Sequence, residues 1–167
     1  MSYSDTHLET EEIHPIDIVE SLAENRDWDF DRVTDDQIAM AVEGQWRTYS
    51  LTLAWSGNDE TLRLICSFEM DPPEDREAAL LDCLNRANDL VWSGAFTYWR
   101  EQRLMVWRYG LVLNGGQTAG PEQIDRLIID AVTSAERFYP AFQLACWGGA
   151  SPADAMKTAI GRAYGRA

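Results

Sequence analysis

The sequence predicts an α+β protein, in which an antiparallel sheet of about five strands carries helices packed on one face. Two observations lead to this fold class. Between residues 28 and 113, apolar and polar residues alternate with a period of two, and short polar turns join most of these segments. Apolar residues at helical spacing occur in separate blocks before, between and after them. Strands joined by short turns are antiparallel, which favours α+β over a parallel α/β sheet.

The first element is a short amphipathic helix. Pro15 begins it, because proline is favoured at the first helical position, and apolar residues follow at helical spacing to about Asn25. A strand-like segment follows at residues 28–33. After a polar turn, residues 38–43 alternate as a strand.

Two hairpins give the clearest strand signals. Residues 47–55 and 62–70 alternate on either side of a polar Ser-Gly-Asn-Asp turn, which is typical of an antiparallel hairpin. A helix with one apolar stripe follows to about Val91. Residues 96–100 and 104–113 form the second predicted hairpin.

Two helices complete the chain. Pro121 begins a long helix, which Pro140 should bend or interrupt because its ring removes a backbone donor and crowds the preceding turn. Ser151, with Asp154 three residues later, resembles a capping box, so the last helix begins at Pro152. The predicted order of elements is α-β-β-β-α-β-β-α-α.

The length of 167 residues is that of one domain. At this size folding buries about 70% of the unfolded surface, so the core needs no disulfide or structural metal. The first 36 residues contain 12 acidic and 2 basic residues. We therefore expect residues 1–13 to be an acidic, mobile leader and residues 14–167 to be a single domain. An acidic arm that docks on a basic partner is the alternative for the leader.

The net charge of −14 disfavours nucleic acid and anionic membrane surfaces as partners, since both are bound by Lys and Arg. No apolar run reaches the about 18 residues of a membrane span, and the acidic N-terminus does not resemble a signal peptide. We expect a cytoplasmic protein. Lys157 is the only lysine, which argues against Walker-type phosphate binding and Schiff-base chemistry.

The sequence offers no catalytic, cofactor or metal constellation. Its only histidines, His7 and His14, have no metal-binding spacing and lie near the N-terminus. The widely spaced Cys66, Cys83 and Cys146 each have apolar neighbours, so we predict that they are buried. We expect no cofactor and no bound metal.

Aromatic residues are abundant and crowd several strand ends. By the parity of the strands, the face of the sheet away from the helices is only partly polar. Rings with polar tips are preferred in protein interfaces, so we predict that a protein partner or a second copy of the chain covers part of this face. Packing in the core or at the sheet edge is the alternative for these rings. The candidate partner-binding residues are Trp46, Ile65, Trp92, Phe96, Tyr98 and Val106.

Two stretches resemble the YbjN family. One runs from Leu84 to Phe96, and the other comprises residues 136–143 with the later Trp-Gly-Gly at 147–149. The resemblance extends over most of residues 14–165. It implies a bacterial regulator of sensory transduction with a fold similar to type III secretion chaperones, which are small α+β proteins that often dimerise and hold a client segment. It supplies no catalytic residues.

Our leading hypothesis is a non-enzymatic, cytoplasmic regulator or chaperone-like module that binds proteins, expected as a homodimer. The absent catalytic constellations, the second partly apolar sheet face and the family resemblance motivate it. The alternative is a small-molecule binder or a cryptic enzyme with a pocket between the aromatic sheet and the bent helix around Pro140.

Overall fold

The computed structural model describes the backbone of residues 13–165 and the side chains of residues 13–160. Within this range the fold is α+β, as predicted, with a six-stranded, wholly antiparallel sheet. The predicted acidic leader lies outside the described residues except for Ile13. The boundary between leader and domain therefore stays a prediction.

The described chain has six strands and four α-helices. The strands are β1 (Asp29–Thr34), β2 (Gln37–Glu43), β3 (Thr48–Ser56), β4 (Thr61–Glu69), β5 (Ala95–Trp99) and β6 (Leu104–Val112). The helices are α1 (Pro15–Asn25), α2 (Glu77–Asn88), α3 (Pro121–Cys146) and α4 (Pro152–Gly165), and a 3-10 turn, Glu74–Arg76, precedes α2. Across the sheet the strand order is β1-β2-β3-β4-β6-β5.

The predicted order of elements is confirmed, and the sheet has six strands where about five were expected. The additional strand is β1, whose sequence gave only a strand-like signal because three of its six residues are charged. Those charges are tolerated because β1 is an edge strand that pairs on one side only. Arg32, for example, forms ion pairs with Asp17 and Glu20 of α1.

The start of α1 agrees with the sequence analysis. Pro15 occupies its first turn, and the preceding His14 caps the helix by accepting a hydrogen bond from the Ile16 amide at Nδ1, 3.1 Å away. Ile16 and Val19 are fully buried. The helix is therefore fixed at its N-terminus by a side chain and along its length by packing.

Alternation along the strands separates the two faces of the sheet. In β4, Leu62, Leu64 and Cys66 are completely buried, whereas Arg63 is exposed. The same period holds in β2 and β3. The buried residues of β2 to β6 join the helices in one core, and the half-buried Phe30 of β1 packs against it. The helices therefore cover one face, as predicted.

Helix α3 provides most of that cover, and Pro140 does not end it. The helix continues through this proline to Cys146, so an interruption at Pro140 is not found. Phe138 and Phe142 are fully buried on either side of the proline, and their rings lie 5.6 and 5.3 Å from that of Phe96. We infer that this packing holds the helix together where proline removes a backbone hydrogen bond.

Gly94→Ala should destabilise the protein much more than Gly115→Ala. Both glycines have a positive φ, +74° and +71°, so alanine is strained at either position. A methyl group at Gly94 would also collide with the buried ring of Trp107, whereas nothing lies within 4 Å of one at Gly115.

Unfolding in urea measures this difference. We expect a loss of about 3 kcal/mol or more for Gly94→Ala and of about 1 kcal/mol for Gly115→Ala, because only the first adds overpacking to backbone strain. Equal losses would contradict the close packing of Trp107 on Gly94.

Candidate protein-interaction surface

The face of the sheet opposite the core is here called the open face. It is formed by the strand residues that alternate with the buried ones, and the described helices pack on the other face. In β3 the open-face residues Ser50 and Thr52 are exposed or half-buried, while their neighbours Leu51 and Leu53 are fully buried. Within the described chain, no helix therefore covers this side of the sheet.

Two rows of paired residues describe the composition of the open face. From β1 to β5, one row contains Asp31, Ala39, Thr52, Ile65, Arg108 and Ala95. The adjacent row contains Asp29, Ala41, Ser50, Ser67, Val106 and Thr97. Short and apolar side chains fill the middle of both rows. Acidic residues lie at the β1 margin, and a basic residue lies towards the β5 margin.

The structure places two of the six candidate residues on the open face. Ile65 is half-buried there, between Thr52 of β3 and Arg108 of β6. Val106 also belongs to this face but is fully buried. Ile65 is thus the candidate from this pair that a partner can contact.

The prediction that Phe96 and Tyr98 lie on the face of the sheet away from the helices is wrong. Phe96 is opposite Trp107 in the β5–β6 pair, and because Trp107 lies in the core, Phe96 faces the helices with 3% of its surface exposed. Tyr98 shares this face and donates a hydrogen bond from its hydroxyl to the Met70 carbonyl, 2.9 Å away. The residues of β5 that lie on the open face are instead Ala95, Thr97 and Trp99.

Trp46 and Trp92 lie in loops and not in the strands of the open face. Trp46 is in the β2–β3 connection, where its backbone amide donates to the Glu136 carboxylate of α3. Trp92 is completely exposed in the connection between α2 and β5. The six candidates therefore do not form one continuous surface.

Asn88, at the end of α2, protects the outer edge of β5. Its side-chain amide donates to the Phe96 carbonyl at 3.0 Å and accepts from the Phe96 amide at 2.7 Å. One side chain thereby satisfies both backbone groups that a neighbouring strand would bind. This protection makes the middle of β5 a poor place for a further strand to pair.

Glu136 of α3 has a similar structural role at the opposite end of the sheet. Its carboxylate accepts hydrogen bonds from the backbone amides of Gln45 and Trp46, at 3.1 and 3.4 Å, and so fixes the β2–β3 connection. Burial, together with the nearby Glu136 carboxylate, raises the pKa of Tyr49 above its usual range. Tyr49 therefore stays neutral at physiological pH and acts as a packing residue.

The cysteines behave as apolar residues. Cys66, Cys83 and Cys146 are free and buried, which confirms the prediction from their neighbours. Burial raises the pKa of the thiols of Cys66 and Cys83 to about 12 and that of Cys146 to about 11. A thiol with so high a pKa is protonated at neutral pH and is a poor nucleophile.

The small-molecule alternative required a pocket between the aromatic sheet and α3 near Pro140. Phe138 and Phe142 occupy that space, in ring contact with Phe96 and Phe68. A concavity of about 560 Å³ does lie at Pro140, but it is lined by α3 and the residues that follow it and by no residue of the sheet. A cavity of about 370 Å³ lies between the start of α1 and the β6–α3 connection. Among the described residues, no group of three or more His, Cys, Asp and Glu side chains is placed to hold a metal ion.

The role of Asn88 and the unpaired end of β6 were not predicted from the sequence. The signals available were a polar residue at the end of α2, the unequal lengths of the two strands of the second hairpin, and a glycine, Gly110, inside the longer strand. None of the helices in the described part of the chain combines the length and the apolar character needed to cross a bilayer.

Comparison with known proteins identifies one family. The model of the YbjN family, described as "Putative bacterial sensory transduction regulator", matches residues 15–144, which is well over half of the chain. No curated protein and no solved structure gives a significant match. The likeness to type III secretion chaperones therefore stays a prediction.

Asn88→Ala should destabilise the protein, whereas Asn85→Ala, three residues earlier on the same helix, should have little effect. The first change leaves the amide and carbonyl of Phe96 without their partners in a partly buried place, which costs about 1–3 kcal/mol. Asn85 is exposed, so we expect a change of at most about 0.5 kcal/mol. Urea unfolding checks both values, and an Asn88→Ala variant as stable as the parent would show that the Asn88 contacts do not hold β5.

Proposed function

Because the chain belongs to the YbjN family, we propose that it is a regulator that acts by binding another protein through its open face, without catalysing a reaction. The family description supports a role in regulation. Protein binding, the absence of catalysis and the cytoplasmic location expected from the sequence are the further steps of the proposal.

The composition of the open face is the observation that carries this function. Its middle contains alanine, serine and threonine together with Ile65, and charged residues such as Asp31 and Arg108 lie towards the margins. Short side chains allow a partner to approach the sheet closely, and a centre depleted of charge inside a charged rim is the usual anatomy of a protein interface. In contrast, the titratable groups in the core are buried thiols and Tyr49, and burial raises the pKa of each, which keeps them protonated at neutral pH.

The size of the face is also that of a protein contact. Six strands spaced by about 4.8 Å, and about 20–30 Å long, present about 600 Å². Two such surfaces bury about 1,200 Å², which is near the lower limit for a stable complex. A homodimer, expected from the family resemblance, is one form that this contact can take. The net charge of −14 disfavours nucleic acid as the target.

A photo-crosslinking amino acid placed at Ile65 tests the proposal in bacterial cells. We expect irradiation to produce a discrete adduct with a protein, because Ile65 lies in the middle of the open face. The matched control carries the same amino acid at Leu81, which is 38% exposed on α2 and away from the sheet face. The control should give no such adduct.

The mass of the adduct identifies the partner. An adduct of twice the 18.9 kDa chain would show a homodimer, and any other discrete mass would show a different protein. Either mass supports binding through the open face. No adduct at Ile65, or equal adducts at Ile65 and Leu81, would contradict it.

A further inference from the structure

Strand β6 extends beyond its partner at the edge of the sheet. β5 pairs with β6 only from Leu104 to Arg108, whereas β6 continues to Val112. On its other side β6 stays paired with β4 along its whole length. Residues 109–112 are therefore an edge segment with no neighbouring strand among the described residues, here called the β6 edge.

The hydrogen-bonding direction of the β6 edge follows from two contacts. Phe96 directs its amide and carbonyl away from Trp107 and towards Asn88, so the residues of β6 that bind β5 are those that alternate with Trp107. On the β4 side, the Leu113 amide donates to the Glu60 carbonyl at 2.8 Å, which agrees with this alternation.

By this alternation the backbone amides and carbonyls of Gly110 and Val112 face the vacant edge. None of these four backbone groups has a hydrogen-bonding partner among the described residues. They have the arrangement that an added β-strand requires.

The approach to the β6 edge is open. Gly110 is exposed, and a Cβ added to it would meet only the Thr61 methyl group, 3.3 Å away. The side chain of Val112 is also uncovered, since this residue is 56% exposed. A glycine inside a strand is typical of a place where another backbone comes close.

Different side chains lie on the two faces of the β6 edge. On the helix side a cavity of about 140 Å³ is lined by Tyr109, by Leu111, by Leu127 of α3 and by four polar residues, Asp130 among them, so it admits one side chain of moderate size whose apolar part contacts the two leucines. On the open face lies Arg108, which is exposed.

Arg108 is unusual in this acidic protein. Among the basic side chains of residues 13–160, it alone has no ion pair, hydrogen bond or ring contact with a described residue. Arg63, opposite Gly110 in β4, is paired with Asp59, and Arg126 beside the cavity is paired with Asp130. An exposed arginine without a carboxylate, next to unpaired backbone groups, favours an acidic ligand.

We propose that the β6 edge binds an extended acidic segment of a partner protein as an added antiparallel strand, in line with β5. Apolar residues of that segment enter the cavity beside Leu111, and acidic residues alternate with them and face Arg108. This inference rests on the proposed protein-binding function and names a second element of the same contact, at the margin of the open face. A second copy of the chain suits the edge less well, because its β6 contains no acidic residue.

Synthetic peptides test the proposal on the full-length protein by fluorescence anisotropy. The probe is a labelled short peptide that alternates valine with glutamate, and we expect saturable binding. A peptide with lysine in place of glutamate should bind about tenfold more weakly or not at all. N-methylation of alternate residues, which removes the main-chain donors on one edge of the peptide, should also weaken binding by about tenfold.

Protein variants locate the site. Arg108→Glu should weaken the valine–glutamate peptide about fivefold or more, whereas Arg86→Glu, the same change of charge at an exposed position of α2, should have little effect. Val112→Pro removes one donor of the β6 edge and should weaken binding as well. If that variant fails to fold, the N-methylated peptides still test the backbone contacts.

The remaining outcomes overturn the proposal. Equal binding of the glutamate and lysine peptides, or no effect of N-methylation, would show that recognition is not by strand addition of an acidic segment. If Arg108→Glu changes the oligomeric mass of the protein in solution without changing its affinity for the peptide, the edge would be assigned to a second copy of the chain. Peptide binding seen only after Glu9, Glu11 and Glu12 are replaced by glutamine would assign it to the N-terminal segment. A positive crosslink at Ile65 with no peptide binding would leave the open-face proposal intact and reject this one alone.

Discussion

The packing of Phe138 and Phe142 of α3 against Phe96 of β5 determines how the helices and the sheet are arranged. It attaches the longest helix to the far edge of the sheet, and it fixes which face of β5 is inside. Because α1 and α3 cover the same face of the sheet, the strand residues that alternate with the core residues lie on the opposite face. Most of these residues are short or charged. The open face is therefore a consequence of where the rings lie, and it exists whether or not a partner uses it.

Most of the fold could be predicted from the sequence, because the period of the apolar residues and the residue types of the turns are local signals. The hairpin of β3 and β4 alternates without ambiguity, and Pro15 and Pro121 mark the starts of their helices. The strand β1 was harder to recognise, because charges replace the apolar residues that an inner strand would need. β5 has aromatic residues at both parities, so its local pattern does not say which face is buried. Its tertiary contacts, the pairing with Trp107 and the packing of Phe96 on α3, decide that Phe96 and Tyr98 face the helices.

The segments that carry the family resemblance prove to be structural. Asn88 closes the edge of β5, Gly94 makes room for Trp107, and Glu136 holds the β2–β3 connection. Such residues preserve a fold and name no chemistry, which is why the resemblance alone could not locate a site. The exposed surfaces are a more informative guide to function: the open face, and the β6 edge, which begins where the pairing with β5 ends. The site is harder to predict than the fold, because it depends on which strand extends beyond its neighbour in the sheet.

Residue-resolved amide hydrogen exchange of the isolated protein tests whether the end of β6 is unpaired, since an amide exchanges slowly only when it is hydrogen-bonded or buried. We expect slow exchange for Phe96, held by Asn88, and for Leu111 and Leu113, held by β4 and Glu60. We expect fast exchange for Gly110 and Val112. Protection of these two amides equal to that of Leu111 would show that the edge is already occupied and that it offers no vacant place for a strand.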